Sequence, residues 1–204
     1  MKEIADEILM LQYAQGDEQA FTALYIRHKN SLYRYFIRQI ATQALAEELY
    51  QEVWNKLIKV RLNYQVSSKF TTWLYRIAHN ELIDYYRRNA TEKRVIAINI
   101  EQVEEPKENN EGHLESTMLV DEHHTTAFEE LYQYQQATQL KWCLKQLPRK
   151  QKEAFLLKHE AGLTLNEIAK LIGESSENIK SRIRYGLDRL KHCVMTKMEK
   201  KDGQ

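Results

Sequence analysis

Apolar residues recur three and four positions apart over most of this chain, a spacing typical of α-helices that bury one face. One such run extends from Phe21 to Ile40, and another from Leu45 to Ile58. Only six glycines and two prolines interrupt the 204 residues. Because these two residues form most turns, their scarcity favours helices joined by short loops. The sequence therefore predicts an all-α fold.

Formal charge divides the chain into three parts. Lys and Arg against Asp and Glu give +2 for residues 1–88, −8 for residues 89–139 and +7 for residues 140–204. We predict two small helical domains, residues 1–90 and 136–195, joined by a long acidic linker at 91–135, with a tail at 196–204. The basic C-terminal part indicates a nucleic-acid partner, and the simpler alternative is charge scattered over solvated helices.

Membrane, secretion and redox signals are weak in this sequence. No apolar run approaches the ~20 residues of a membrane helix, and the acidic N-terminus lacks the apolar core of a signal peptide. We therefore expect a cytoplasmic protein. Cys143 and Cys193 stand alone without a CxxC pattern, so we predict two free, buried thiols and no disulfide.

The most strongly patterned stretch, residues 147–195, predicts a helix-turn-helix. Small Ala169 allows two helices to cross closely, Gly173 allows the tight turn, and Ile179 buries the second helix. The outward face of that last helix combines polar and basic side chains that suit a major groove. The predicted duplex-reading residues are Ser175, Ser176, Glu177, Asn178, Lys180, Ser181, Arg182, Arg184 and Tyr185. The alternative is a three-helix packing unit with a solvated basic face.

Two further surfaces are predicted in the first 90 residues. A helix from Phe70 to about Arg88 would carry a polar stripe next to aromatic residues, which suits unpaired bases. The stripe consists of Arg76, Asn80, Asp84 and Arg87, and the aromatic residues are Tyr64, Phe70, Trp73 and Tyr75. The alternative is that Phe70 and Trp73 fill the core. The helix at 45–60 carries an acidic-amide patch, defined as Glu47, Glu48, Gln51 and Glu52, which suits a basic protein partner or is simply solvated.

These segments together resemble a known family. AEELYQEVW at 46–54 and FTTWLYRIAHN at 70–80 resemble region two of bacterial sigma factors, and residues 147–182 are similar to region four. The two-region build resembles the extracytoplasmic-function (ECF) group of the sigma-70 family. The resemblance implies a factor that binds core RNA polymerase, directs initiation at promoters and helps to melt them.

The resemblance also implies roles for individual residues. Glu48, Leu49, Gln51 and Glu52 would dock on the largest polymerase subunit. The loop at 63–69 and the helix after it would capture the minus-ten element, with contacts from Phe70, Trp73, Tyr75, Arg76, His79, Asn80, Asp84, Arg87 and Arg88. The duplex-reading residues would recognise the minus-thirty-five element. Region four would also meet the second-largest subunit, the linker would thread polymerase channels, and an anti-sigma factor is a further partner to consider.

Two other functions compete with this interpretation. A stand-alone helix-turn-helix regulator would explain residues 147–190 but leaves the features at 45–88 without a purpose. An enzyme is not expected, because no HExxH, GxSxG, Walker or CxxC pattern is present. The neighbouring pair His123-His124 lacks a fixed third ligand for a metal, so we expect no metal and no cofactor.

Overall fold

The computed structural model describes residues 4–99 and 138–202, and within these ranges the chain forms helices and no strand. The helices are α1 (Asp6–Ala14), α2 (Glu18–Gln39), α3 (Gln43–Val60), α4 (Phe70–Asn99), α5 (residues 138–145), α6 (Arg149–His159), α7 (Leu165–Ile172) and α8 (Ser176–Asp202). A 3-10 turn, Arg61–Asn63, follows α3. The predicted all-α fold is confirmed.

Helices α1 to α4 form the N-terminal bundle. Gly16, with a φ of 103°, lies between α1 and α2, and Asp17 caps α2 by accepting hydrogen bonds from the backbone N–H groups of Gln19 and Ala20. The interior contains several large rings, with Tyr35, Phe36, Trp54, Tyr64, Phe70 and Tyr75 all buried. This bundle therefore has a substantial aromatic core of its own.

Helices α5 to α8 form the C-terminal unit, in which the predicted helix-turn-helix is present. Thr164 and Glu167 form a reciprocal capping box at the start of α7. Gly173 ends α7 with a φ of 76°, a left-handed conformation that favours glycine. Ser175 caps α8 by accepting a hydrogen bond from the backbone N–H of Asn178 at 3.2 Å. Local sequence signals thus account for both ends of the turn.

Two helices run further than their sequence patterns predicted. Helix α4 continues to Asn99, past the expected end near Arg88, and α8 continues to Asp202, into the segment predicted as a tail at 196–204. Neither extension contains glycine or proline, and a change in charge composition does not by itself break a helix. The first residues of the predicted linker are therefore helical, and most of the rest lies outside the described residues.

The two cysteines form a disulfide, so the prediction of free thiols was wrong. Cys143 on α5 and Cys193 on α8 are bonded, with their Cα atoms 5.9 Å apart. They lie in a small hydrophobic cluster with Leu144, Leu147 and Leu190. A separation of 50 positions gave no local signal of the pairing, because the pairing depends on how two distant helices pack.

The N-terminal bundle and the C-terminal unit pack against each other. Helix α6 contacts α2, and α7 contacts α4. Buried residues of both parts, among them Leu32 and Leu74 on one side and Leu157 and Ile168 on the other, belong to one continuous hydrophobic cluster. The face of the bundle that carries α2 and α4 is therefore partly covered.

Candidate nucleic-acid and polymerase interfaces

The first half of α8 presents an exposed polar and basic face. Ile179 and Ile183 point into the unit and are buried, so the helix can turn its other side outward. The predicted duplex-reading residues on that outer side are exposed or half-buried: Ser175, Ser176, Glu177, Asn178, Lys180, Ser181, Arg182, Arg184 and Tyr185. A helix that is anchored on one side and polar on the other can enter a major groove.

Neighbouring groups hold several of these side chains in place. Arg182 pairs with Glu174, and this hydrogen bond is the main reason that the pKa of Glu174 lies below its ordinary value. Ser176 donates a hydrogen bond from its hydroxyl to Asn166 on α7 at 2.6 Å. Arg184 lies over the ring of Tyr185, which is 52% exposed. Arg184 and Lys180 are therefore better placed than Arg182 to meet phosphate groups.

The start of α4 gathers the aromatic residues of the N-terminal bundle. The rings of Tyr64 and Trp73 have centroids 5.0 Å apart, and Trp73 is half-buried at the surface. Glu7 of α1 accepts a hydrogen bond at 2.6 Å from the backbone N–H of Phe70, the first residue of the helix. Burial first, and then the charges of Glu7 and Asp6, raise the pKa of Tyr64 to about 12. The ring of Trp73 therefore lies beside loop 64–69, near a helix start that the hydrogen bond to Glu7 holds in place.

Phe70 does not face outward. Its side chain is 0% exposed and packs near the rings of His28, Tyr64 and Trp73. The expectation that Phe70 contacts minus-ten DNA is therefore wrong in this structure, and the alternative of a core residue is the one observed. Its spacing from Leu74 already matched the buried stripe of α4.

The polar stripe of α4 lies at the surface, as its spacing predicted. Arg76, Asn80 and Arg87 are exposed, and half-buried Asp84 pairs with Arg87 at 3.0 Å. Arg88 is exposed as well. These side chains form a mixed, largely basic strip that starts one helical turn after the aromatic residues.

Tyr75 and His79 lie on a neighbouring face of α4 that the C-terminal unit covers. The hydroxyl of Tyr75 donates to the backbone carbonyl of Glu160 at 3.5 Å. Nδ1 of His79 approaches Glu153 to 2.7 Å without the alignment of a hydrogen bond. Both side chains are therefore buried in this arrangement and cannot contact DNA while it lasts.

The acidic-amide patch is partly confirmed as a surface. Glu48 and Gln51 are exposed, and Glu52 is half-buried beside Asn55. Glu47 accepts hydrogen bonds from the hydroxyl of Tyr33 and the amide of Gln43. Leu49, however, is 2% exposed and fills the core of the bundle, so it cannot dock directly on a partner.

Family comparisons separate this chain from other helix-turn-helix proteins. The family model described as "Sigma-70 region 2" matches residues 24–92, and the model "Sigma-70, region 4" matches residues 143–192. The first contains the aromatic helix and the acidic-amide patch, and the second contains the helix-turn-helix.

This chain belongs to the sigma-70 family of sigma factors.

Curated relatives and a solved structure agree with that assignment. SigK of Mycobacterium sp. (strain KMS), an ECF RNA polymerase sigma factor, is 25% identical over 190 residues, 92% of this chain and 90% of the relative. SigZ of Bacillus subtilis (strain 168) is 28% identical over 163 residues, 78% of each chain. The sigma factor RpoE, co-crystallised with the anti-sigma factor NepR from Bartonella quintana, shares the fold with a TM-score of 0.61 and 20% identity, over 86% of this chain and 96% of that one. SigK is named as an ECF sigma factor, and the match of both regions excludes a stand-alone regulator for this chain.

This sigma factor contains a set of charged residues that sequence reasoning missed. Glu153 and Glu160 of α6 reach across to the N-terminal bundle, where Arg34 and Arg38 of α2 meet Glu160. A signal was available: Glu153 and Glu160 are seven positions apart, on the same stripe of α6 as buried Leu156 and Leu157. Acidic residues on an apolar stripe indicate a partner across the interface.

The described ranges contain neither a membrane-spanning helix nor a cluster of metal ligands. Within residues 4–99 and 138–202 no helix is long and apolar enough to cross a membrane. The same ranges contain no group of three or more His, Cys, Asp or Glu side chains that could hold a metal ion. His123 and His124 lie outside the described residues.

Proposed function

We propose that this ECF sigma factor binds core RNA polymerase in the cytoplasm, guides it to promoters and aids their melting, as an initiation factor and not as an enzyme. The observation that carries the proposal is the presence, in one chain, of an anchored helix with an exposed polar and basic face and of a second surface with aromatic, basic and acidic groups. A simple DNA-binding regulator has no use for the second surface. The match also covers about 90% of the length of the SigK relative, so the similarity includes both regions.

The exposed face of α8 would read the minus-thirty-five element as duplex DNA. Lys180 and Arg184 would meet phosphates, whereas Asn178, Ser181 and Arg182 are placed for base edges. Glu174 holds Arg182 in one orientation, which limits the entropy lost on binding.

The start of α4 and loop 64–69 would bind the opened minus-ten strand. Trp73 provides a half-exposed ring for stacking, and Arg76, Asn80, Arg87 and Arg88 supply polar and positive groups along the helix. Base stacking on an aromatic side chain is worth about 1–3 kcal/mol per base. Trp73 is therefore the residue on which we expect strand capture to depend most.

The acidic-amide patch would bind the largest polymerase subunit through Glu48, Gln51 and Glu52. Its charge would repel DNA and attract a basic protein surface. The second-largest subunit would meet the side of the C-terminal unit that is turned away from α8's reading face. An anti-sigma factor is a further partner, as RpoE has in its co-crystal structure.

We assign residues 1–90 to core binding and minus-ten recognition, 91–135 to the linker, 136–195 to minus-thirty-five recognition and 196–204 to the tail. The linker's net negative charge supports a path through polymerase channels that accept phosphates. Its first residues prolong α4, so the path would begin at the end of that helix.

Run-off transcription with core polymerase on genomic fragments tests the function directly. We expect discrete promoter-dependent transcripts that require this protein. The isolated protein should bind duplex promoter weakly without core polymerase. Specific, tight duplex binding by the isolated protein, or a protein that binds core yet starts no transcript on any fragment, would contradict the proposal.

Charge substitutions separate the surfaces. Glu52→Lys should weaken core binding about ten-fold or more, because it reverses charge within the patch. Glu18→Lys, which changes an exposed glutamate of the same bundle outside the patch, is the matched control and should bind core normally. Core binding would be measured by fluorescence anisotropy of labelled sigma factor.

A second pair of variants addresses the duplex contacts. Arg184→Ala should weaken minus-thirty-five binding by the holoenzyme and lower the salt dependence of binding by about one unit, since one phosphate contact is lost. Arg189→Ala removes an exposed arginine further along α8, outside the predicted reading face, and should change neither quantity. Equal effects from the two variants would remove the assigned role of Arg184.

A further inference from the structure

The disulfide joins the first described helix of the C-terminal unit to its last. Cys143 lies on α5 and Cys193 on the second half of α8. The same two helices meet again where Nζ of Lys197 lies 3.6 Å from the ring centre of Trp142. Most of the stability of a helix in a protein comes from its tertiary packing. The position of α5 therefore depends on these contacts with α8, and the disulfide is the covalent one.

Cys193 lies on the side of α8 that anchors the proposed reading face. Ile179, Ile183, Leu190 and Cys193 follow one another at spacings of four, seven and three, which place them on one side of a helix. Ile179 and Ile183 are buried beneath the reading half of α8, and Leu190 belongs to the cluster around the disulfide. A covalent change at Cys193 therefore acts on the same helix that carries the reading face.

The two cysteines of the disulfide differ in exposure. Cys143 is 1% exposed and lies within the cluster that contains Leu144 and Leu147, whereas Cys193 is half-buried at its edge. A disulfide is opened by a thiolate that attacks one of its sulfur atoms, so the rate depends on which sulfur the thiolate can reach. The geometry therefore favours attack at Sγ of Cys193, with Sγ of Cys143 as the leaving group.

Basic side chains flank Cys193 along α8. Lys191 and His192 precede it and are exposed, and Lys197 follows one turn later on the same side of the helix. The nearest acidic residue before it is Asp188, five positions away. Positive charge stabilises a thiolate and attracts an anionic thiol. The surroundings of this disulfide thus suit exchange with small, negatively charged thiols.

We propose that Cys143 and Cys193 form a reversible redox site, opened by low-molecular-weight thiols that attack Cys193, and that the closed bond holds the reading helix in its DNA-binding position. The second half of this proposal rests on the proposed function. In the cytoplasm, where we place this protein, such thiols keep most cysteines reduced, and the disulfides that do form there are usually transient. The bond would then close under oxidising conditions.

Opening of the site takes two exchange steps. The thiolate of a small thiol attacks Sγ of Cys193 and forms a mixed disulfide, while the bond to Cys143 breaks and its electron pair leaves with Sγ of Cys143, which takes up a proton. A second small thiol attacks the mixed disulfide and frees Cys193 as a thiol. The protein gains two electrons and two protons, and the two small thiols leave as their own disulfide. The disulfide form of the small thiol reverses both steps.

The open site would mount the reading helix less firmly. Helix α5 then keeps only its non-covalent contacts with α8, so a smaller fraction of molecules has the C-terminal unit in the arrangement that binds duplex DNA. Apparent affinity falls in proportion to that fraction. The sigma factor would therefore bind the minus-thirty-five element best when its cysteines are oxidised.

Single-cysteine variants test where exchange begins. Oxidised glutathione would be added to Cys143→Ser and to Cys193→Ser, and intact mass would follow the mixed disulfide. We expect Cys193, the cysteine left in Cys143→Ser, to react at least about ten-fold faster than Cys143 does in the other variant. In urea the two rates should become similar, because the fold causes the difference. For wild type, limiting reduced glutathione and an acid quench should place the mixed disulfide on Cys193 in a peptide mass map, even if a variant folds poorly.

Binding of duplex minus-thirty-five DNA by the holoenzyme tests the consequence. Reduced wild-type protein should bind about ten-fold more weakly than oxidised wild-type protein. The double variant with Cys143→Ser and Cys193→Ser is the matched control: it should bind at the reduced level in both conditions, and any response of its own would come from core polymerase.

Three results would overturn the proposal. The first is a wild-type disulfide that stays closed in glutathione buffers as reducing as the cytoplasm, which would make it a permanent structural bond. The second is a mixed disulfide that forms first on Cys143. The third is equal DNA affinity of the oxidised and reduced wild-type holoenzymes. Failure of the proposed function looks different: exchange would begin at Cys193 as described, while neither redox state would bind promoter DNA with core polymerase.

Discussion

The N-terminal bundle and the C-terminal unit obtain their stability from different sources. Six large aromatic side chains are buried in the bundle, whereas Phe155 is the one aromatic residue packed in the interior among the described residues of the C-terminal unit. The unit relies instead on a capping box, left-handed glycines at its turns and the bond between Cys143 and Cys193. A small domain buries too little apolar surface to be stable through its core alone. The disulfide, the capping box and the glycine turns supply the additional stability.

The same contrast extends to the surfaces that would meet DNA. The proposed reading face of α8 is exposed, and buried Ile179 and Ile183 anchor its helix. The proposed minus-ten surface combines the half-exposed ring of Trp73, an exposed polar strip, and Tyr75 and His79, which the C-terminal unit covers. The two proposed surfaces therefore differ in exposure as well as in chemistry.

Among the variants considered, Phe70→Ala should lower the free energy of unfolding of the N-terminal bundle the most. Phe70 is fully buried, and removal of such a ring costs about 3–5 kcal/mol of unfolding free energy.

Trp73→Ala should cost less stability but abolish most capture of the opened strand, because this ring is half-exposed. Urea unfolding and permanganate footprinting of open promoters measure the two quantities. If Phe70→Ala left stability intact and removed only promoter opening, the core assignment of Phe70 would be wrong.

Reduction of the disulfide should have the next largest effect, confined to the C-terminal unit. The bond closes a loop across 50 positions, for which chain entropy gives a stabilisation of about 4 kcal/mol, with about 2–4 typical. Thermal unfolding would be followed by the fluorescence of Trp142, which is the tryptophan of this unit. A double variant with Cys143→Ser and Cys193→Ser is the control and should not respond to reductant; an equal response in both proteins would exclude the bond as the cause.

Gly173→Ala should destabilise the turn by about 1–2 kcal/mol, because alanine is strained in the left-handed conformation. No atom lies within 4 Å of the position where its Cβ would stand, so the cost comes from the backbone alone. Gly186→Ala offers a contrast: it lies inside α8, its Cβ would make ordinary contacts at 3.7 Å, and alanine is the better helix former. Denaturant unfolding should give opposite signs for the two variants.

The smallest expected effect is the contribution of Glu167 to the pH dependence of folding stability. Burial alone would raise its pKa, but hydrogen bonds from Thr164 and the charge of Lys69 outweigh burial and hold the pKa below the ordinary value of 4.5. A carboxyl with a lowered folded-state pKa stabilises the fold above its unfolded-state pKa, and the contribution disappears as pH falls through the folded-state pKa. The stability difference between wild type and Glu167→Gln should therefore shrink below about pH 4.5. A difference that grew on acidification would contradict this sign.

Much of the fold could be predicted where the determinants are local. The turn at Gly173 and the buried position of Ile179 act within a few residues of their own place in the chain, so spacing alone was sufficient to predict the helix-turn-helix. The outward face of α8 followed for the same reason, once Ile179 and Ile183 fixed the buried side.

Features that depend on distant contacts could not be predicted in this way. The disulfide and the ion pairs of α6 with the N-terminal bundle join positions far apart in the chain, and no periodicity records such contacts. Leu49 and Phe70 are different: their spacing marked them as core, but the resemblance to a binding region favoured contact roles. The end of α4 was missed because a change in composition after Arg88 was taken as a structural boundary, and the end of α8 because its buried stripe was followed only to Leu190.

The length of α4 also decides how the two halves are tethered. Thirty residues at 1.5 Å each form a rod of about 45 Å, so the chain leaves the bundle at the tip of α4 and not at its surface. Residues 100–137, at no more than 3.3–3.6 Å each, have a maximum reach of roughly 130 Å, well beyond the distance between the two promoter elements. The number of residues between the two parts therefore does not prevent them from reaching both promoter elements at once.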